Sequence, residues 1–289
     1  MSKLSRVKKF VQTTLEIPQR RSDGELVKGT HPYRKLMPFI MPGRNESVCY
    51  YDDYIRTDNM LDYLERARVA FDTDVNITHL LVAAAGYTLG KNPTMNQFIS
   101  GSRLYRRKKI DVTFSMKRQK LNKKAKLSAV KMRMEDSPES FQETVERINS
   151  HIHIERSGRK TSVDQELDLL SLLPRRLMSG VVETVNWLDY NNILPKFFME
   201  QDGFYTSMFI ANLGSLGMRP AFHHLYEYGN CPLFLMVGRI EERPMVRDGV
   251  VVRMRGALQN GKKHGAWRVW TMTYDTWWEF YFDGKSVDQ

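Results

Sequence analysis

The sequence predicts one α/β domain, and three observations carry that prediction. Residues 76–89 (NITHLLVAAAGYTL) are apolar nearly all round, the mark of a buried helix. Residues 98–105, 110–116 and 126–134 then read as three strands joined by basic turns. Residues 208–217 (MFIANLGSLG) begin apolar and break at Asn212-Leu213-Gly214, with Gly217 close behind. A buried strand ends there in a turn that glycines can make tight.

The elements follow in order. Residues 1–15 place Leu4, Val7, Phe10, Val11 and Leu15 at helical spacing among lysines. A short helix covering the domain is the plainer reading, and a membrane-surface or partner-binding helix is the other. Residues 17–29 carry Pro18 and Gly24 and read as an extended arm, so 1–30 forms a basic helix and arm ahead of a domain over 31–289. Three prolines in 31–47 predict a loop or irregular edge, because proline cannot continue a helix interior. Residues 48–55 alternate and are rich in Tyr, which predicts a strand.

Residues 57–71 predict a helix that Thr57 or Asp58 can cap, with Met60, Leu61, Leu64, Ala67 and Phe71 on one face. His79, alone at the start of the next helix, reads as a satisfied core or cap residue, and Asn92-Pro93 ends that helix. The basic turns hold Arg103, Arg106, Arg107, Lys108, Lys109, Lys117, Arg118, Lys120, Lys123, Lys124 and Lys126. They read as a solvated face of hairpin turns. A phosphate footprint for nucleic acid would need interleaved aromatics or a recognition motif, and neither accompanies them.

Residues 137–153 predict a helix capped by Ser137, with Pro138 at its first position and Val145 and Ile148 inward. His151 and His153 are two apart, so they share no helical face and make no metal pair. After a polar break at 158–162, residues 163–173 and 175–190 predict two helices separated by Pro174. Their core face would include Leu169, Leu170, Leu172, Leu173, Leu177, Met178, Val181, Val182 and Val185. Residues 191–203 read as a loop or a short helical turn. The aromatic tail (Trp267, Trp270, Tyr274, Trp277, Trp278, Phe280, Tyr281, Phe282) is too apolar to be left in water and predicts a subunit boundary.

Composition sets the outer limits. The 289 residues are 42% hydrophobic and 27% charged, enough for one large core. A formal charge of +11 favours acidic partners such as phosphate-bearing cofactors, nucleic acid or anionic lipid. Cys49 and Cys231 make no disulfide framework or metal cluster, which suits a reducing compartment. No apolar run reaches the ~20 residues of a membrane span, and no secretory signal opens the chain. The expectation is a cytoplasmic protein without a metal.

Two stretches carry a family resemblance. Residues 208–217 resemble the Ile-Ser-Asn-Leu-Gly segment of the dihydrolipoyl acyltransferase catalytic domain of 2-oxoacid dehydrogenase complexes. Residues 234–244 (FLMVGRIEERP) resemble the strand ILAVGRIEKRP of the same family. The pair, in order and well spaced, is more specific than either alone, and the resemblance extends with gaps over 31–252. It implies a chloramphenicol acetyltransferase-like two-layer sandwich, a mixed β-sheet with helices on one face. It also implies a homotrimer with its cleft between subunits, and acyl transfer between coenzyme A and a thiol or hydroxyl. Asn212 and Gly214 would then lie at the coenzyme A site. The helices over 163–190 elaborate the family pattern and would suit an extra subunit contact. No lipoyl domain or hinge is read ahead of the core, so a swinging acyl arm on this chain is not expected.

The family reaction needs a histidine base in a His-x-x-x-Asp-Gly run near the C-terminus and a hydroxyl that donates to the oxyanion. Four Asp-Gly pairs occur, at Asp23, Asp202, Asp248 and Asp283, and the residues four before them are Gln19, Phe198, Pro244 and Glu279. An alignment anchored on 271–275 (TMTYD) puts Thr276 at the histidine position instead. Ala211 stands where the family has its serine. Gln289 comes too soon for the helix that follows the histidine loop in the family. Losing one oxyanion donor costs about 3 kcal/mol, and losing the base costs a further ~10²–10⁴-fold. Ordinary turnover is therefore expected to be weak or nil, and the alternative is a non-catalytic trimeric scaffold. The substitute catalytic candidates are His223 and His224, just after the glycine turn, with Glu279 and Asp283 near the C-terminus. His264 lies in a glycine-flanked hairpin turn.

Overall fold

The computed structural model describes residues 20–117, 127–134, 140–157, 173–247, 250–254 and 266–271, apart from position 56, and from 243 onward only their backbone. A six-stranded mixed sheet organises them. In spatial order its strands are β2 (Cys49–Tyr54), β11 (Ala266–Thr271), β8 (Leu233–Val237), β7 (Met208–Asn212), β5 (Ile110–Lys117) and β6 (Leu127–Met134). The three central strands β8, β7 and β5 run parallel, and the outer pairings are antiparallel. A smaller sheet takes the order β1 (Gly24–Leu26), β4 (Arg103–Arg107), β3 (Gln97–Ser100), and β9 (Arg243–Arg247) pairs with β10 (Val250–Met254).

Helices cover one face of the large sheet, as expected for a two-layer sandwich. α3 (Ile77–Lys91) and α4 (Phe141–Arg156) lie there, and α2 (Asp58–Phe71) closes the layer at one end. Strand alternation decides which side chains meet them. Val112, Phe114, Val130, Met132, Met208, Ile210, Leu233 and Leu235 point to the helices and bury against Leu81, Val82, Ala85, Leu89 and Ile148. Phe209, Ala211, Phe234 and Met236 point to the other face, where loops rather than helices cover them.

Several expectations need correction. Residues 31–47 are no loop throughout: α1 spans Pro32–Ile40. Pro32 occupies the first turn, where its missing N–H is spared, and only Pro38 interrupts the ladder. Residues 98–105 are not one strand but the hairpin β3–β4, turned at Gly101 and Ser102, both with positive φ. α4 is capped by Ser140, not Ser137: the Ser140 hydroxyl accepts from the Glu143 N–H, and the Glu143 carboxylate accepts from the Ser140 N–H at 2.8 Å. α5 (Arg175–Tyr190) forms as expected, but Leu177, Met178, Val181 and Val182 are exposed on this chain. Among the described residues, its C-terminal half joins a core with α6 (Lys196–Gln201) through Val185 and Leu188. Trp267 and Trp270 belong to β11, inside the sheet, rather than to a tail. The helices predicted over 1–15 and 163–173, and the tail from Tyr274 on, lie outside the described residues.

Candidate functional site

The glycine turn sits at the end of the central strand. Asn212 closes β7, and residues Leu213–Leu216 wind one 3₁₀ turn that ends on Gly217 at φ 72°. Alternation points Asn212 toward the helix layer. Its amide donates to the Thr78 hydroxyl at 3.1 Å, at the start of α3, and its carbonyl oxygen accepts from the Ser215 N–H at 3.1 Å. Both ends of the amide therefore tie the turn to the helix. Gly214 has a steric reason of its own: a Cβ there would sit 2.5 Å from the Gly238 carbonyl oxygen. Gly214, lacking a Cβ, lets the turn lie directly on the backbone that leaves β8, and Gly217 supplies the left-handed φ that ends it.

The candidate histidines lie across the sheet from Asn212. Aromatic rings run in a stack on the loop-covered face, Phe204 on Phe209, Phe209 on Phe234, and the His223 ring on Phe234 at 4.5 Å and 10°. His224 stacks on His223 at 5.0 Å. The His224 Nδ1–H donates to the Leu225 carbonyl at 3.0 Å, and the His223 Nδ1–H to the His224 carbonyl. That assignment leaves Nε2 of each ring as the basic nitrogen. The loop itself is fastened from α1's side. The Arg44 guanidinium donates to the Tyr226 carbonyl at 2.9 Å and to the Tyr228 and Gly229 carbonyls, while the Glu227 carboxylate accepts from the Arg44 and Asn45 N–H groups.

Ala211 is buried on this same face, between Phe209 along the strand and Met236 across it. Two hydroxyls of this region donate to backbone: Ser215 to the Asn212 carbonyl at 2.7 Å, and Thr113 to the Gly203 carbonyl at 3.0 Å. Glu279, Asp283 and His264 lie outside the described residues.

His79 takes the cap role its position predicted. Its Nδ1 accepts from the Asn76 N–H at 3.1 Å, which puts the proton on Nε2, and Nε2 donates to the Asn149 side-chain oxygen at 3.0 Å. Burial pushes its pKa down, outweighing the Asn149 bond. Among the described residues no cluster of three or more His, Cys, Asp or Glu could hold a metal ion.

Sequence reasoning missed a buried ionic hub. Arg21 bonds Asp23 through Nε at 2.8 Å and Asp189 through Nη2 at 2.7 Å, and it also reaches Ser100 and Asn192. Arg107 lies 4.5 Å over the Phe98 ring and donates to the Asn230 side chain at 2.7 Å, and Asn230 donates to Asp23 at 2.8 Å. Burial would raise the Asp23 carboxyl pKa, but its bonds to Arg21 outweigh that and hold it below the usual range. Arg107 is thus no solvated turn residue. The signal was its register, two residues from the buried Tyr105 on β4.

No protein-family model and no curated protein matches the chain. Solved structures do. A probable dihydrolipoamide acetyltransferase from Listeria monocytogenes superposes with a TM-score of 0.52 at 11% identity, covering 85% of this chain and 84% of that one. The dihydrolipoamide acetyltransferase of Azotobacter vinelandii gives 0.49 at 14% identity, over 85% and 83%. A truncated catalytic core of the 2-oxoacid dehydrogenase multienzyme complex from Thermoplasma acidophilum gives 0.48 at 14%, over 86% and 88%. The likeness lies in the fold: this chain has the two-layer architecture of a dihydrolipoamide acetyltransferase core.

Proposed function

We propose that this chain is an acyltransferase-fold protein that assembles as a homotrimer in the cytoplasm and carries out little or no ordinary acyl transfer. Ala211 carries this reading. It occupies the position at which the resembling family has its serine, it is buried among apolar side chains, and it offers no hydroxyl to an oxyanion. The Ser215 and Thr113 hydroxyls are already committed to carbonyls. The exposed apolar residues Leu36 and Ile40 of α1 suit burial against a second copy. Free Cys49 and Cys231 suit a reducing compartment.

A second reading, an active coenzyme A-dependent enzyme with a relocated base, draws on the tautomer of His223 and His224. Each ring keeps Nε2 basic, on Ala211's face of the sheet. Steady-state assay of acetyl-coenzyme A with thiol and alcohol acceptors separates the two. The scaffold reading expects no rate above background. A rate that disappears in His223→Ala or His224→Ala would establish the second reading instead. Light scattering at micromolar concentration checks assembly: a trimer mass is expected, and a monomer mass would remove that part.

A further inference from the structure

A cavity of about 480 Å³ opens between α1, the small sheet and the chain that leaves β1. Its volume falls within the ~300–1,000 Å³ of small-molecule sites. It lies against α1 and the β1–β4–β3 sheet, whereas Ala211 and the histidines lie on the large one. Part of its wall is apolar, including Met37 of α1 and Leu104 of β4. Among the described residues that line it, every charged one is a cation: Lys28, Arg34, Lys35 and Arg103.

That charge pattern is unlike the rest of the small sheet. The buried Arg21 finds two carboxylates, and Arg107 finds Asn230 with Asp23 3.8 Å away. Arg103, on the same strand as Arg107, has a buried Nη1 with no hydrogen-bond partner among the described residues. A guanidinium nitrogen withdrawn from water without an acceptor is costly, and an anion close by offsets that cost. Apolar walls beside one-signed charge select a ligand with both characters.

We propose that this cavity binds a small amphipathic anion, a monocarboxylate with an apolar chain. The carboxylate sits among Arg103, Lys28 and Lys35, and the chain lies against Met37 and Leu104. Calorimetric titration of the full chain with octanoate tests it, with octanol and inorganic phosphate as the two half-ligands. Saturable octanoate binding is expected, with each half-ligand weaker by about tenfold or more. Arg103→Met should weaken octanoate to a similar degree, and Met37→Trp should block it by filling the space. Lys35→Met, at an exposed position, repeats the charge test should Arg103→Met fail to fold. Octanol binding as tightly as octanoate would reduce the site to an apolar sink. Phosphate binding as tightly would reduce it to a charge patch. Either result overturns the proposal, as do octanoate binding that survives both Met37→Trp and loss of a cation, and the absence of saturable binding.

Discussion

The two faces of the large sheet are built from the same strands and do different work. On the helix-covered face, β5, β6, β7 and β8 present aliphatic and Met side chains to α3 and α4. Polar groups described there act as fasteners, such as His79 between Asn76 and Asn149. On the loop-covered face the same strands present Phe209, Ala211, Phe234 and Met236, and a loop bearing two histidines closes over them. One face secures the fold. The other carries the buried methyl of Ala211 beneath the histidine loop, the arrangement on which the proposed lack of turnover rests.

Substitutions sharpen the contrast. Ile210 is fully buried toward the helices, so Ile210→Ala should cost ~2–5 kcal/mol of unfolding free energy. Its neighbour on the strand points the other way, and Ala211→Ser, one oxygen larger, should cost less in the same urea titration. An equal cost at both positions would erase the distinction between the faces. Gly214→Ala comes next. Its Cβ would meet the Gly238 carbonyl at 2.5 Å, and relieving that overlap should cost ~1–3 kcal/mol. Unchanged stability would mean the turn lifts freely from β8.

The smallest expected effect is a pH dependence. Burial lowers the folded pKa of His79 below 6.5, its ordinary value. The unfolded chain therefore takes up a proton first as pH falls through 6.5, and stability declines until the folded ring is protonated as well. The Asn76 N–H agrees in sign, because a proton on Nδ1 would face it, while the Asn149 bond opposes the shift without overcoming burial. In His79→Gln that part of the acid slope should vanish. A wild-type slope retained in the variant would assign it to other groups.

What the sequence made legible follows the same division. Elements with one strong period or a clear stop, such as α3 with Asn92 after it and β7 running into its glycine turn, were readable from local pattern alone. α1 was not, because the rule against proline applies to helix interiors and Pro32 stands in the first turn. The β3–β4 hairpin was hidden because Gly101-Ser102 is a weak turn signal inside an apolar run. Arg107 looked solvated because a cation reads as surface until its partners are known, and Asn230 and Asp23 lie far away in sequence. The candidate site was legible as a motif but not as an arrangement. Nothing local in the sequence says that Asn212 points toward α3 while His223 stacks beneath the opposite face.

The most direct test of the central claim is acetyl-coenzyme A turnover by the wild-type chain and by Ala211→Ser, measured with thiol and alcohol acceptors at saturating substrate. The account predicts no rate above background in wild type. It predicts none in Ala211→Ser either, because the proposed reading has the family's base missing as well as its hydroxyl. Wild-type turnover that falls away in His223→Ala or His224→Ala would contradict it.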